Sequence, residues 1–299
     1  GQPVCRSESA RAAGCRPLNI FGPNAAATTP DALDYFQHDS LSQHVNEQTV
    51  FGGQLSGSLF DLPGGPLAFV AGAEYRRESL ITRADGLAST GQLYFYGVTP
   101  QSGTVSVKEI YGEVSLPILR DIAFVDFLEL NGAVRYSSYN TGFHSTTWKL
   151  GSVYAPVEDV RFRITRSRSV RAPNVIELFS AGIVSISGAA DPCDAANIGL
   201  NPNRPENCQA LGIPAGYVDP NPTVNAQLVT TGNVNLGPEE SNSLTLGVVI
   251  QPRFIPGLSL SVDYWDIKIN GAITSLGTGD IVNGCVDNET LDELLCSQV

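Results

Sequence analysis

Apolar and polar residues alternate with a period of two along much of the chain. From 128 to 136, Leu128, Leu130, Gly132, Val134 and Tyr136 fall on one side, and Glu129, Asn131, Ala133 and Arg135 on the other. These are the two faces of a strand. The stretch 243–250 repeats the pattern, with Leu244, Leu246, Val248 and Ile250 set against Ser243, Thr245, Gly247 and Val249. So do Leu258, Leu260, Val262 and Tyr264 against Ser259, Ser261 and Asp263, and Val160, Phe162 and Ile164 against Arg161, Arg163 and Thr165. About eight strands are predicted, over 45–60, 67–83, 104–117, 124–139, 143–155, 160–170, 240–251 and 257–272. Many exceed the usual five or six residues and reach the nine to eleven that a tilted strand needs to cross a bilayer.

The connections alternate in length. Short ones follow the first, third, fifth and seventh strands, at 63–66, 118–123, 156–159 and 252–256; longer ones follow the second, sixth and eighth. Asn140-Thr141-Gly142 is an exception, a tight turn where a long loop is due. Hairpins with short turns at one end and long loops at the other are the layout of transmembrane barrels. The loop-rich stretches are 1–44, 84–103, 171–239 and 273–299. Aromatic residues gather near strand ends (Tyr75, Tyr94, Phe95, Tyr96, Tyr136, Tyr139, Phe143, Trp148, Tyr154, Tyr264 and Trp265) as an interfacial girdle would. Helical patterns inside the loops are predicted over 29–36, 172–179 and 287–295.

Composition narrows this. Hydrophobic residues are 42% and charged residues 16%, below the charged share of about 25% usual in soluble domains. Yet the longest apolar runs, such as 67–73, fall far short of the ~18 residues of a spanning helix, so any membrane is crossed by strands. The net charge of −12 argues against a nucleic-acid partner, which calls for basic patches; it suits acidic loops facing water. Gly1-Gln2-Pro3 opens no leader peptide and the chain has no methionine, which reads as a processed or internal stretch.

Six cysteines fall in three near pairs, Cys5 with Cys15, Cys193 with Cys208 and Cys285 with Cys296. All lie in loop-like sequence without zinc-site spacing, so disulfides formed in an oxidising compartment are expected. Each would stabilise its loop by about 3 kcal/mol in the chain-entropy model. Catalytic motifs are not found: the three histidines, His38, His44 and His144, form no HExxH, and no nucleophile elbow or phosphate loop occurs. A triad drawn from His38, Asp39, Ser40 and His44 would need sequence neighbours to converge, which is rare. Neither an enzyme nor a bound cofactor or metal is expected.

Four segments carry a family resemblance. Thr165 to Phe179, with Arg171-Ala172-Pro173 followed by Glu177-Leu178-Phe179, resembles the S-x-x-x-R-A-P-x-x-x-E-L-F signature of TonB-dependent receptor barrels. Asn235 to Gly247, with Pro238, Glu239 and Ser241, resembles the family's N-L-x-P-E-x-S-x-S-x-T-x-G. Phe254 to Ile267 is similar to its P-G-L-x-L-x-x-D-Y-x-x-I, and Cys15 to Gly22 to a loop of proteobacterial members. The four run in family order over nearly the whole chain.

The resemblance implies an all-β fold, an antiparallel transmembrane β-barrel fragment of about eight strands in an open curved sheet with long extracellular loops. It implies a single partial barrel domain over 1–299, lacking the plug and closing strands and unable to transport alone. The implied partners are outer-membrane lipid, a scarce nutrient (siderophore-iron, cobalamin or an oligosaccharide) at the extracellular loops, chiefly 181–234, and TonB through the plug. Leu128, Leu130, Val134, Leu244, Leu246, Val248, Leu258, Leu260 and Val262 would face lipid. Glu129, Arg135, Arg161, Arg163, Thr245 and Asp263 would face the lumen, where charge is tolerated. Arg171 and Glu177 are expected to form an ion pair in a solvated loop, and Pro173 to end its ladder because it has no N–H to donate. The competing reading is a soluble, secreted, disulfide-stapled β-protein of adhesin or lectin type, which would bury the leucine set instead.

Overall fold

The computed structural model describes residues 3–24, 28–90, 93, 98–220 and 226–299. Two short helices, α1 (Glu8–Ala12) and α2 (Pro30–Phe36), precede the first strand. Strands β1 (Ser42–Leu62), β2 (Gly65–Ala84), β3 (Gln101–Ile122), β4 (Val125–Tyr139), β5 (His144–Val157) and β6 (Val160–Arg171) then follow as hairpins. Helix α3 (Gly86–Ser89) lies between β2 and β3. The long link after β6 holds α4 (Val175–Phe179), a separate two-stranded ribbon of β7 (Ile183–Ser187) and β8 (Ala226–Thr230), and α5 (Arg204–Ala210). The main sheet resumes with β9 (Glu239–Ile250) and β10 (Leu260–Asn270), and α6 (Thr278–Asp287) and α7 (Glu293–Cys296) close the chain.

The main sheet has eight strands in the order β1-β2-β3-β4-β5-β6-β9-β10, every pair antiparallel. Its two outer strands do not pair with one another, so the sheet is open among the described residues. The turns after β1, β3, β5 and β9 lie at one end, and the connections after β2, β4 and β6 at the other, together with the segments before β1 and after β10. All six cysteines lie at the loop end.

Register shows how the faces line up. Leu128 pairs with Tyr154, Tyr154 with Phe162, Phe162 with Val248 and Val248 with Val262. One step on, Leu130, Ser152, Ile164, Leu246 and Tyr264 form the next row. Directly paired residues share a face, so the apolar sets of all these strands project together. That face is open: Leu130 is 44% exposed, Val134 51%, Ile110 62% and Leu150 62%. The opposite face is the sheltered one, with Val107, Glu109 and Ser137 buried. A soluble sandwich would show the reverse.

The long link shelters the loop end of that face. Leu178 and Val175 of α4 pack on Leu80 and Val105 of that opposite face, with Tyr139, Phe179 and Leu236 around them. Asn174 caps α4, its Oδ1 accepting from Glu177 N at 2.8 Å while Glu177 Oε2 accepts from Asn174 N at 2.8 Å. This reciprocal pair satisfies two amides that a five-residue helix leaves open.

Several elements differ from the sequence reading. The expected turn at 118–123 shrinks to Ala123 and Phe124, because β3 runs on to Ile122 past a bulge at Pro117. Proline breaks a ladder only where its missing N–H is needed, and a bulge removes that need. Gly64 of the neighbouring turn lies so close that an added Cβ would meet Pro117 O at 2.6 Å. Leu258 sits before β10, in a turn where its N–H donates to Ile255 O at 3.2 Å. The helix expected over 287–295 is split: α6 ends at Asp287, the chain reverses through Asp292 N donating to Cys285 O, and Asp292 caps α7. The acidic start at Asp287 is thus a helix end. The aromatics Tyr94, Phe95 and Tyr96 lie outside the described residues.

Candidate functional site

Two features at and below the loop end carry polar chemistry: the sheltered face of the sheet, and a latch where the long link leaves and rejoins it.

On the sheltered face, charge is paired across strands. Glu109 of β3 accepts from Arg135 Nη1 at 2.9 Å and from Ser137 Oγ at 2.5 Å, both on β4. The Arg135 guanidinium also stacks over the Tyr111 ring, 4.5 Å from its centroid. Arg76 sits between Glu74 and Glu78, at 3.5 and 3.1 Å. Arg163 of β6 reaches both carboxylate oxygens of Asp263 on β10, each at 2.7 Å, although β9 lies between them. The intervening residue is Gly247, paired with both. A Cβ there would overlap the Asp263 carboxylate and lie 2.5 Å from Arg163 Nε. Gly72 plays the same part for Tyr111, whose hydroxyl crosses β2 to donate to Gln54 Oε1 at 3.2 Å on β1. Asn131 lies over Gly151 in like manner. Gly72 and Gly247 act as gaps through which long polar side chains span three strands.

The latch centres on Arg171, the last residue of β6. Its Nε and Nη2 donate to the two oxygens of Glu239, the first residue of β9, each at 2.8 Å. Its Nη1 donates to both oxygens of Glu177, each at 3.0 Å. Glu239 Oε1 also accepts from Ile273 N at 2.7 Å, and Asn233 N donates to Glu177 O at 2.8 Å. One guanidinium thereby ties the end of β6, α4, the start of β9 and the segment after β10. Pro173 and Leu178 are buried beneath it, and Phe179 covers Gly103 of β3 so closely that a Cβ there would overlap its ring. Pro238 is half-buried just before β9, and Ser241 follows on the sheltered face, opposite Ser169.

Beyond the latch the loops form a small assembly around two disulfides. Cys193–Cys208 and Cys285–Cys296 pack in one cluster with Val286. Buried Arg204 of α5 donates to both oxygens of Asp287 on α6, at 2.6 and 3.0 Å, and Asn207 Nδ2 donates to Val286 O and Asn288 O. Asp287 raises the Arg204 pKa above its ordinary value. Cys5–Cys15 lies apart, before β1. Between the latch and this assembly runs a cleft of about 770 Å³, lined by Ile176, Ile183, Val229, Leu236 and Leu276 among others.

Each residue singled out in the sequence has a definite place. Glu129, Arg135, Arg161, Arg163, Thr245 and Asp263 share the sheltered face, with Glu129 opposite Val153 and Arg161 opposite Val249. Arg171 and Glu177 pair, with Glu239 as a further partner lying 68 residues along the chain. His38 and Ser40 form no triad: each bonds a separate oxygen of Asp85, at 3.1 and 3.2 Å. Asp85 also accepts from the amides of Leu41, Leu87 and Ala88. The Ala88 amide foremost, with Leu41, His38 and Ser40, holds this carboxyl well below the usual range. Sequence reasoning missed Asp85, Glu109, Ser137 and Arg204. Glu109 alone had a signal, as the polar break in the inward series Val105, Val107, Glu109, Tyr111.

A family model described as "TonB dependent receptor-like, beta-barrel" matches residues 12–295. No curated protein gives a significant sequence match. A ferric enterobactin receptor mutant from Pseudomonas aeruginosa, solved with enterobactin, is 14% identical with a TM-score of 0.48, over 74% of this chain and 27% of that one. A siderophore receptor, PirA from Acinetobacter baumannii, is 13% identical with a TM-score of 0.49, over 76% of this chain and 27% of that one. The chain therefore spans 27% of the length of both these receptors.

Proposed function

Because the chain belongs to the TonB-dependent receptor-like β-barrel family of the bacterial outer membrane, we propose that it serves energy-coupled uptake of a scarce nutrient, as eight strands of a receptor wall and a partial barrel domain over 1–299. The observation that carries this reading is the two-faced sheet: leucines and aromatics open on one side, paired charges on the other. In lipid, arginine at the midplane costs about 2–4 kcal/mol, whereas a lumen tolerates it. The paired charges would line the lumen against a plug, and TonB would act through that plug. The nutrient would be met by the loops, with the cleft beside the latch as one wall. In this reading Arg171, Glu177 and Glu239 position the loop and do not touch ligand, since the two carboxylates already occupy the guanidinium.

The test is uptake by cells carrying the intact receptor gene. Labelled ferric siderophore, cobalamin and oligosaccharide are supplied in turn, with and without TonB. TonB-dependent accumulation of one of them supports the proposal. No accumulation of any, with the protein inserted in the outer membrane, rejects nutrient uptake by these three classes. Recovery of the protein in the soluble fraction revives the secreted β-protein reading.

A further inference from the structure

We infer that the outward face of β1–β4 holds a phosphorylated lipid of the outer leaflet, its acyl chain in a groove and its headgroup between Arg77 and Lys108. The inference rests on the placement of the sheet in the bilayer and not on uptake of any nutrient.

Face and height come from register. Arg77 pairs with Thr49 and Ser106, and Lys108 with Tyr75 and Ser138. Tyr75 lies in the outward series Phe69, Ala71, Ala73, Tyr75, and Ile110 and Val114 continue it on β3, so Arg77 and Lys108 are outward too. They are the first charged residues above the apolar band on their strands. Arg77 stands twelve residues above Gly65 at the turn end of β2. At about 3.4 Å per residue and a tilt near 40°, that is roughly 30 Å of height, about one hydrocarbon core. The two cations are diagonal neighbours on adjacent strands, about 7–8 Å apart, a span that one phosphate can bridge.

Neither has a partner within the sheet. Both side chains are exposed, and neither forms an ion pair or hydrogen bond among the described residues. Arg76, the sequence neighbour of Arg77, faces the other way and sits between two carboxylates. Elsewhere on the outward rim Arg166 and Lys268 are also unpaired among the described residues, but with Asp266 beside them. Arg168 is committed to Glu240 at 2.6 Å, and Asp266 shares the row of Arg166. Among the described residues Glu47 is the one outward carboxylate near Arg77, and it does not pair with it. In a chain of net charge −12, this is a cationic spot left open.

Beneath it is room for a chain. A groove of about 610 Å³ runs up the apolar face between Phe51, Ala73, Tyr75, Ile110 and Tyr136, and Lys108 stands at its loop end. Gly53 keeps its floor open, with no heavy atom within 4 Å of where a Cβ would lie. An apolar groove capped by two unpaired cations suits an acyl chain carrying a phosphate, and free phosphate would leave the groove unused.

The test uses the intact receptor in nanodiscs of phosphatidylcholine, doped or not with phosphatidic acid, with bound lipid counted by native mass spectrometry and stability by thermal unfolding. The wild type should retain phosphatidic acid and gain stability from it. Replacing Arg77→Gln with Lys108→Gln should lower retention about thirtyfold, at roughly a fivefold loss for each surface cation. Gly53→Leu, which fills the groove but keeps both cations, should lower it as well, and the inward Arg76→Gln should not. Equal retention by the double variant, or equal loss from Arg76→Gln, overturns the site. Equal stabilisation of the wild type by inorganic phosphate overturns the lipid as its occupant. If the double variant does not fold, the wild-type comparison of doped and undoped discs and the Gly53→Leu variant decide alone. Failure here leaves nutrient uptake untouched, since the uptake assay reads a different face.

Discussion

Leu130→Arg and Asn131→Arg place the same charge on adjacent residues and opposite faces. Leu130 is the second of five outward positions on β4, from Leu128 to Tyr136, and is flanked by Leu116 and Ser152. It lies inside the apolar band but below its middle, so the lipid cost of arginine falls at the lower part of its range, about 2 kcal/mol. The leucine it replaces is 44% exposed to what would be lipid, and losing that contact adds well under 1 kcal/mol. A total near 2.5 kcal/mol lowers the folding constant about sixtyfold. Asn131 already lies over Gly151, between Ser115 and Thr165 on the polar face. An arginine there can lie along the same gap, and its expected cost is under about 0.5 kcal/mol. The assay is equilibrium unfolding of the intact receptor in lipid vesicles, with folded barrel scored by its shifted gel mobility before boiling. Equal destabilisation by the two variants, or a larger effect from Asn131→Arg, would refute the assignment of faces.

Other consequences follow from the loop end and the lumen face. Converting Cys193 and Cys208 together to serine removes a disulfide closing fifteen residues; it should cost the loop assembly about 3 kcal/mol, seen as faster proteolysis within 193–219 while the barrel keeps its gel shift. Gly247→Ala should break the Arg163–Asp263 bridge, since its Cβ takes the space the pair uses, and Arg163→Ala made in that background should then add little to the loss of thermal stability. Asp85 has a depressed pKa, chiefly through the Ala88 amide. Its contribution is therefore present above the ordinary carboxylate range and lost as pH falls below it. Amide exchange at Leu41, Leu87 and Ala88 should speed up together in strong acid, and Asp85→Asn should show that fast exchange at neutral pH; unchanged protection in the variant would discount the clamp.

Whether a feature could be read from the sequence depended on how locally it is encoded. The partition of faces is local: a period of two over Leu128 to Tyr136 separates leucine from arginine before any partner strand is known. The latch is only half local. Arg171 and Glu177 lie six residues apart and read as a pair, but Glu239 meets them only because β9 returns beside β6 after a long link. Gly247 reads as a neutral position in a strand until register sets it between Arg163 and Asp263. The turn expected at 118–123 falls later because a bulge at Pro117 lets β3 run on to Ile122, and a bulge leaves no periodic signal. Helices α5 and α6 are too short to be stable alone. They are held by Arg204, Asn207 and two disulfides, contacts that no periodicity records.

The pair Arg76-Arg77 brings the two halves of the molecule to one point. The two are chemically identical neighbours on one strand, and the pleat sends them to opposite solvents. Inward, Arg76 meets Glu74 and Glu78, and the same rule governs Arg135, Arg163 and Arg171, each held by a carboxylate. In a narrow wall-to-plug space an unpaired cation would be partly desolvated and costly, so pairing fixes side chains without leaving a charge alone. Outward, at the height where hydrocarbon gives way to headgroups, a cation needs no protein partner because the membrane surface supplies anions. Arg166 and Lys268 also stand outward and unpaired among the described residues, beyond the apolar stretches of β6 and β10. For Arg76 and Arg77, pairing inside and vacancy outside are thus the same energetics meeting two environments, which is why face, and not residue type, tells these two neighbours apart.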